Sequence, residues 1–185
     1  MKITKIGIAI IVIAILVFGF IIVNNVQFNN NSSNETVTMQ TISKGGVTVN
    51  YPSNWVYSQA TSNDSVIAIS KQNQIDGLEV GQVNINVERR EFTGDFANFV
   101  NKSYNNLQAD PAYNMVSSGE VDFNGETALQ YIYTSNSTGG VIREHKAIWV
   151  ERGNNAYVIL YSAPIDRFDG NLAAADYIIS HIIIN

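Results

Sequence analysis

Hydrophobic and polar positions divide the chain into three stretches with different rhythms. Ile6 to Val23 reads IGIAIIVIAILVFGFIIV, apolar all round and without a charge. The next stretch, NNVQFNNNSSNETVTMQ, is rich in Asn, Ser and Thr and holds no sustained period. From about residue 44 onward, short alternating runs follow one another between turn residues, and helical spacing replaces them twice.

The alternating runs predict strands. Val47–Tyr51 alternates and then meets Pro52, with Ser53 and Asn54 turning the chain before Trp55. Val66–Ser70 is a short apolar strand. In Val83–Arg89, residues Val83, Ile85 and Val87 point to one side and Asn84, Asn86 and Glu88 to the other, as in a half-buried strand. Met115–Phe123 and Glu126–Thr134 flank Asn124-Gly125, a strong hairpin signal. SNSTGG (135 to 140) turns into the strand Val141–Glu151, and Gly153 with two asparagines turns into Ala156–Ala163, apolar on both faces and so central. Two stretches carry helical spacing. Phe96, Phe99, Val100, Tyr104 and Leu107 mark a helix from Asp95 to Ala109, with Asp95 at its N-terminus and Asp110-Pro111 ending it. Phe168, Leu172, Ala175, Ile179 and Ile183 mark a second from Arg167 to Ile184. The order predicts an α+β domain, an antiparallel sheet of about six to seven strands flanked by helices.

The uncharged run at the start changes the picture from a domain to a tethered domain. As a helix, about 18 residues cover roughly 27 Å, close to the hydrocarbon thickness of a bilayer. No small-x-small cleavage pattern follows it, so the run is expected to remain as an uncleaved signal-anchor. The positive-inside rule keeps Lys2 and Lys5 cytoplasmic and places the rest outside, in a single-pass arrangement at the cell membrane. The expected organisation is a transmembrane helix over residues 1–24, a flexible spacer over 25–43 and a domain over 44–185. Asn30, Asn31, Asn34, Asn63, Asn101 and Asn136 each open an N-x-[S/T] triplet, usable on an exported domain, though an Asn-rich chain produces such triplets by chance.

Charge and composition narrow the partners. The formal charge is −5, and setting aside Lys2 and Lys5 leaves −7 on the remainder. A domain this acidic repels phosphate backbones, so no nucleic-acid partner is expected. With no cysteine, a disulfide scaffold, a thiolate metal site, a cysteine nucleophile and a lipoprotein anchor are all excluded.

Candidate chemistry is sparse. His145 lies in Arg143-Glu144-His145-Lys146, where alternation sends Arg143 and His145 to one face and Glu144 and Lys146 to the other; a solvated, mixed-charge strand end is expected. His181, beside Ser180 on the second helix, reads as a surface position. No serine stands in a G-x-S-x-G elbow. Asp64, Asp76, Glu79 and Glu88 lack calcium-loop spacing, and Asp166 and Asp169 read as helix N-terminal residues. Gly45-Gly46 and Gly139-Gly140 are turn glycines, and Arg89-Arg90-Glu91 reads as a solvated strand exit. Trp55, Tyr57, Tyr131, Tyr133, Trp149, Tyr157 and Tyr161 read as core, with a concave aromatic binding face as the alternative. No catalytic, cofactor-binding or metal-binding residue is assigned, and no cofactor is expected.

Several segments together resemble the PsbP-like family. VTVNYPSNWVY (47 to 57) resembles its strand, Tyr-Pro, x, x, Trp opening; Phe96–Leu107 is similar to its first helix; VDFNGETALQYIY (121 to 133) resembles its central hairpin; YVILYSAP (157 to 164), with Phe168 and Ser180, resembles its closing strand and helix. The likeness spans residues 44 to 185. It implies an antiparallel sheet between helices and, given the anchor, a membrane-anchored prokaryotic member, most simply archaeal. The family is named for an extrinsic photosystem II subunit; that role does not carry over with the fold. The expected function is a non-enzymatic binding or scaffold module outside the membrane, with a membrane or cell-surface protein as partner. The alternatives are a pilin-like filament subunit, suggested by Lys5-Ile6-Gly7 but opposed by Val12 where bacterial pilins carry glutamate, and an enzyme whose site the sequence hides.

Overall fold

The computed structural model describes residues 25–26, 37–58, 63–72, 82–136 and 140–185. The apolar run Ile6–Val23 lies outside them, and among the described residues no helix is long and apolar enough to cross a membrane. Asp76, Glu79, Asn30, Asn31 and Asn34 also lie outside the described residues.

Two antiparallel sheets form the domain. The larger has the order β4-β5-β6-β10-β9-β8-β7, built from β4 (Trp55–Ser58), β5 (Ser65–Lys71), β6 (Asn84–Glu91), β7 (Asn114–Phe123), β8 (Glu126–Asn136), β9 (Ile142–Arg152) and β10 (Asn155–Pro164). The smaller has the order β1-β2-β3-β11, from β1 (Asn25–Val26), β2 (Val37–Lys44), β3 (Val47–Pro52) and β11 (Ile183–Ile184). Helix α1 (Phe96–Asn105) covers one face of the large sheet and α2 (Phe168–Ile179) packs on the other. The expected hairpin at Asn124-Gly125 is present, with both residues at positive φ, 55° and 84°. Asp95 caps α1 as expected, its Oδ1 accepting from the Asn98 N–H at 2.8 Å.

Three expectations are corrected. The second helix does not run to Ile184. It ends at Ile179, and Ile182, Ile183 and Ile184 are buried, exposed and buried in turn, a period of two set by pairing of β11 with Val47 and Thr48. The 25–43 segment is not all spacer, since Val37–Lys44 is a strand. Its polar side chains are used across the pair: Thr41 Oγ1 donates to Asn50 Oδ1 at 2.6 Å, and Ser43 lies 2.7 Å from Thr48 Oγ1. Finally, α1 gives way to a single 3-10 turn at Leu107–Ala109 rather than continuing to Ala109 as α-helix.

The turn between β2 and β3 supplies a local test. Gly45 has φ +58°, and a Cβ built there lies 2.9 Å from Val66 Cγ1; Gly153, with φ +56°, has open space around it. Gly153→Ala is expected to cost about 1–2 kcal/mol of backbone strain, and Gly45→Ala more, because Val66 must also move. Urea midpoints of the two variants measure the difference, and equal losses would show that the contact with Val66 relaxes freely.

Candidate functional site

The two faces of the large sheet carry different chemistry. The face toward α2 is apolar, with Trp55, Ile67, Ile69, Ile85, Ile159 and Tyr161 fully buried. The face toward α1 is mixed. Under the helix it is aromatic: Tyr104 stacks on Tyr131 with centroids 4.2 Å apart, and the Trp149 Nε1–H donates to Tyr104 Oη at 2.8 Å. Beyond the helix it is polar. Register places Ser58, Ser70, Asn86, Glu88, His145 and Ser162, the six buried polar or charged residues of the described chain, all on this face.

The expectation of a solvated His145 is overturned. Its strand, β9, lies between β8 and β10, and its position two residues from Ala147 and four from Trp149 turns it inward. Only 9 % of it is exposed, its ring stacks on Tyr133 at 4.8 Å, and its Nε2 lies 2.9 Å from Ser135 Oγ. Burial, reinforced by the Arg143 charge, pushes its pKa down to about 3. Arg143 is itself drawn inward, donating from Nε to Ser162 Oγ at 3.0 Å and from Nη2 to the Gln82 carbonyl, and burial lowers its pKa. Glu144 and Lys146 face the other way, as alternation requires, and Lys146 pairs with Asp176 of α2 at 2.7 Å.

Ser135 and His145 thus form a hydroxyl–imidazole pair that sequence inspection missed, because Ser135 reads as a turn residue while β8 extends through it. No carboxylate orients the imidazole: among the described residues His145 Nδ1 has no hydrogen-bond partner, and neither has Ser70 Oγ. The stretch Arg89-Arg90-Glu91 is also not wholly solvated. Glu88 is buried and accepts from Asn86 Nδ2 at 2.9 Å and Arg90 Nη2 at 2.6 Å, while Arg90 lies 5.8 Å over the Trp149 ring. Beside these residues a shallow cleft of about 520 Å³ is lined by Asp64, Arg89, Arg90, Glu91, Phe99 and Ser103.

The aromatic residues do not gather on one concave surface. Trp55, Tyr57, Tyr157 and Tyr161 belong to the α2 side and Tyr131, Tyr133 and Trp149 to the α1 side. His181 is exposed just beyond α2, its Nδ1 lying 2.7 Å from the Tyr177 carbonyl. Asp169 lies in the first turn of α2, whereas Asp166 precedes the helix. Among the described residues no three His, Asp or Glu side chains gather into a group able to hold a metal ion.

The sequence model of a PsbP-like protein family matches residues 5–181. Among solved structures, the solution structure of cyanobacterial PsbP from Synechocystis superposes with a TM-score of 0.60 at 14 % identity, covering 85 % of this chain and 98 % of that one. LpqN of Mycobacterium tuberculosis, described as involved in cell envelope biogenesis, gives 0.55 at 14 % identity, covering 82 % and 93 %. A Pseudomonas aeruginosa protein of unknown function, described as a putative regulator, gives 0.52 at 13 % identity, covering 80 % and 97 %. These likenesses bear on the fold. No curated protein matches the sequence.

Proposed function

The chain belongs to the PsbP-like protein family, and from that premise we propose that it is a membrane-tethered, extracytoplasmic binding or scaffold module rather than an enzyme. In this reading residues 6–23 cross the membrane with Lys2 and Lys5 inside, and the folded domain works outside against a membrane or cell-surface protein.

The observation that carries binding over turnover is the electrostatic setting of His145. A hydroxyl–imidazole pair acts as nucleophile and base only if the imidazole can take the proton and hold the positive charge. Here burial and Arg143 both oppose that charge, and no carboxylate among the described residues offsets them. A base with a pKa of about 3 is poorly matched to proton abstraction near neutrality. What the polar half-face does offer is fixed hydrogen-bonding groups, Arg143 among them.

Exposure to a fluorophosphonate probe at neutral pH tests this directly. Ser135 is expected to stay unmodified by mass spectrometry. An adduct at Ser135, lost in His145→Gln, would instead establish an activated nucleophile and favour the enzyme reading.

A further inference from the structure

One end of the large sheet gathers both the point where the chain arrives from its apolar N-terminal run and the exposed apolar side chains of the domain. A series of hydrogen bonds traces this rim. Ser53 N–H donates to the Thr38 carbonyl at 2.7 Å, Gln72 N–H to Asn54 at 2.9 Å, Lys71 N–H to Val83 at 2.9 Å, Arg143 to the Gln82 carbonyl, and Ile165 N–H to Ile142 at 3.2 Å. Thr38 also pairs with Asn25, so the chain two residues past Val23 lies at the same rim. Val141, Ile142 and Ile165 are 42 %, 45 % and 53 % exposed, and Ile142 and Ile165 are cross-strand neighbours. Met115 and Val116, at the start of β7, lie at this end too; of the six large exposed apolar residues described, only Ile183 is elsewhere. Four strand spacings, about 19 Å, separate β4 from β9 along the rim.

We infer that this rim is seated on the outer surface of the bilayer that residues 6–23 cross, with Val141, Ile142 and Ile165 entering the boundary between headgroups and acyl chains. The inference rests on the tether reading of the apolar run. Five of the six large exposed apolar side chains among the described residues share this rim, which makes it the most apolar exposed end of the domain. The place where the chain meets β2 selects the membrane as that surface, because the tether brings this end to the lipid first. No basic cluster holds it: charges of both signs flank the patch, Arg143 and Glu144 after Ile142 and Asp166 and Arg167 after Ile165, so apolar insertion drives the contact and salt weakens it little. The opposite end, with the turns at Gly45-Gly46, Asn124-Gly125 and Gly153-Asn154, then faces away from the membrane.

The absence of cysteine makes the test direct. Full-length Ile165→Cys and Asn154→Cys, each carrying an environment-sensitive fluorophore, are reconstituted into phosphatidylcholine vesicles and floated. Lipid-borne nitroxide is expected to quench the label at 165 at least threefold more than the label at 154, and aqueous iodide the reverse. If the protein floats but both labels respond alike, docking is refuted and the tether reading stands. If it floats and the label at 165 is shielded from both quenchers, a second copy covers the patch and docking is again refuted. A chain that does not float removes the tether reading and the docking with it.

Discussion

Between about pH 7 and pH 4 the domain is expected to lose about 3 kcal/mol of stability through His145 alone. The sign follows from where the proton binds. In the unfolded chain the imidazole titrates near its ordinary value of about 6.5, whereas in the folded domain burial and then Arg143 hold it down to about 3. Between those values the unfolded state carries a proton that the native state refuses. Stability is therefore complete above the unfolded value and falls by about 1.4 kcal/mol per pH unit as the solution is acidified toward the folded one. Among the described residues the groups facing the ring are Tyr133, Ser135, Ser162 and Arg143; none supplies a negative charge to an imidazolium. Carboxylates elsewhere also titrate in this range, so the comparison is with His145→Gln, which leaves them unchanged. Denaturant unfolding of both proteins from pH 7 to pH 4 should show the wild type losing about 3 kcal/mol more than the variant. Parallel pH dependence would mean that the folded domain admits a proton to His145, and would remove the electrostatic ground for treating the Ser135 pair as inactive.

His145 also shows where sequence reading stops. The tetrapeptide Arg-Glu-His-Lys has the composition of a solvated strand end, and that is how it reads in isolation. The alternation through Ala147 and Trp149 carried the opposite message, since it assigns His145 to a face with a buried tryptophan, but that message depends on knowing that β9 has a neighbour on both sides. The same dependence explains the other misses. β2 is polar enough to pass for a spacer, and only its partners Thr48 and Asn50 turn its hydroxyls into cross-strand contacts. Ile182 to Ile184 continue a helical series by identity, but pairing with Val47 and Thr48 imposes a period of two. Features that local geometry alone determines were legible: the Asn124-Gly125 hairpin, the Asp95 cap and the two-sided burial of β10; the half-burial expected of Val83–Arg89 fails, because β6 lies inside the sheet and Asn86 and Glu88 are buried along with Ile85 and Val87. The polar half-face was not, because its six buried polar residues come from five strands and converge only through register.

The attachment of α1 to that sheet is expected to depend on Trp149, and Trp149→Ala should cost about 3–5 kcal/mol, a large part of the 5–15 kcal/mol typical of a domain. Trp149 is 3 % exposed and meets the helix from below. Its ring lies 6.2 Å from that of Phe99 at 81°, its Nε1–H donates to Tyr104 Oη at 2.8 Å, and Arg90 lies 5.8 Å over it. Truncation removes the apolar contact, opens a cavity that β8 and β10 are too constrained to fill, and leaves the Tyr104 hydroxyl without its donor. Only Val100 and Tyr104 of α1 are buried, and the helix is otherwise held by side-chain contacts alone, Phe96 and Phe99 against Phe92 and Tyr104 against Tyr131 and Tyr133, with no strand ladder. The loss should therefore be uneven. Amides of Val100 to Asn105 should lose more hydrogen-exchange protection than those of Val158 to Leu160 in β10, which keep both neighbouring strands. Trp149→Phe separates the contributions: it keeps an aromatic ring against Phe99, drops the hydrogen bond, and should cost about 1–3 kcal/mol. Equal loss of protection in α1 and β10 would mean that the helix and sheet open as one unit. The expected uneven loss means the reverse: α1 can lift from the aromatic half of the face while the sheet, held by its strand ladders, stays folded.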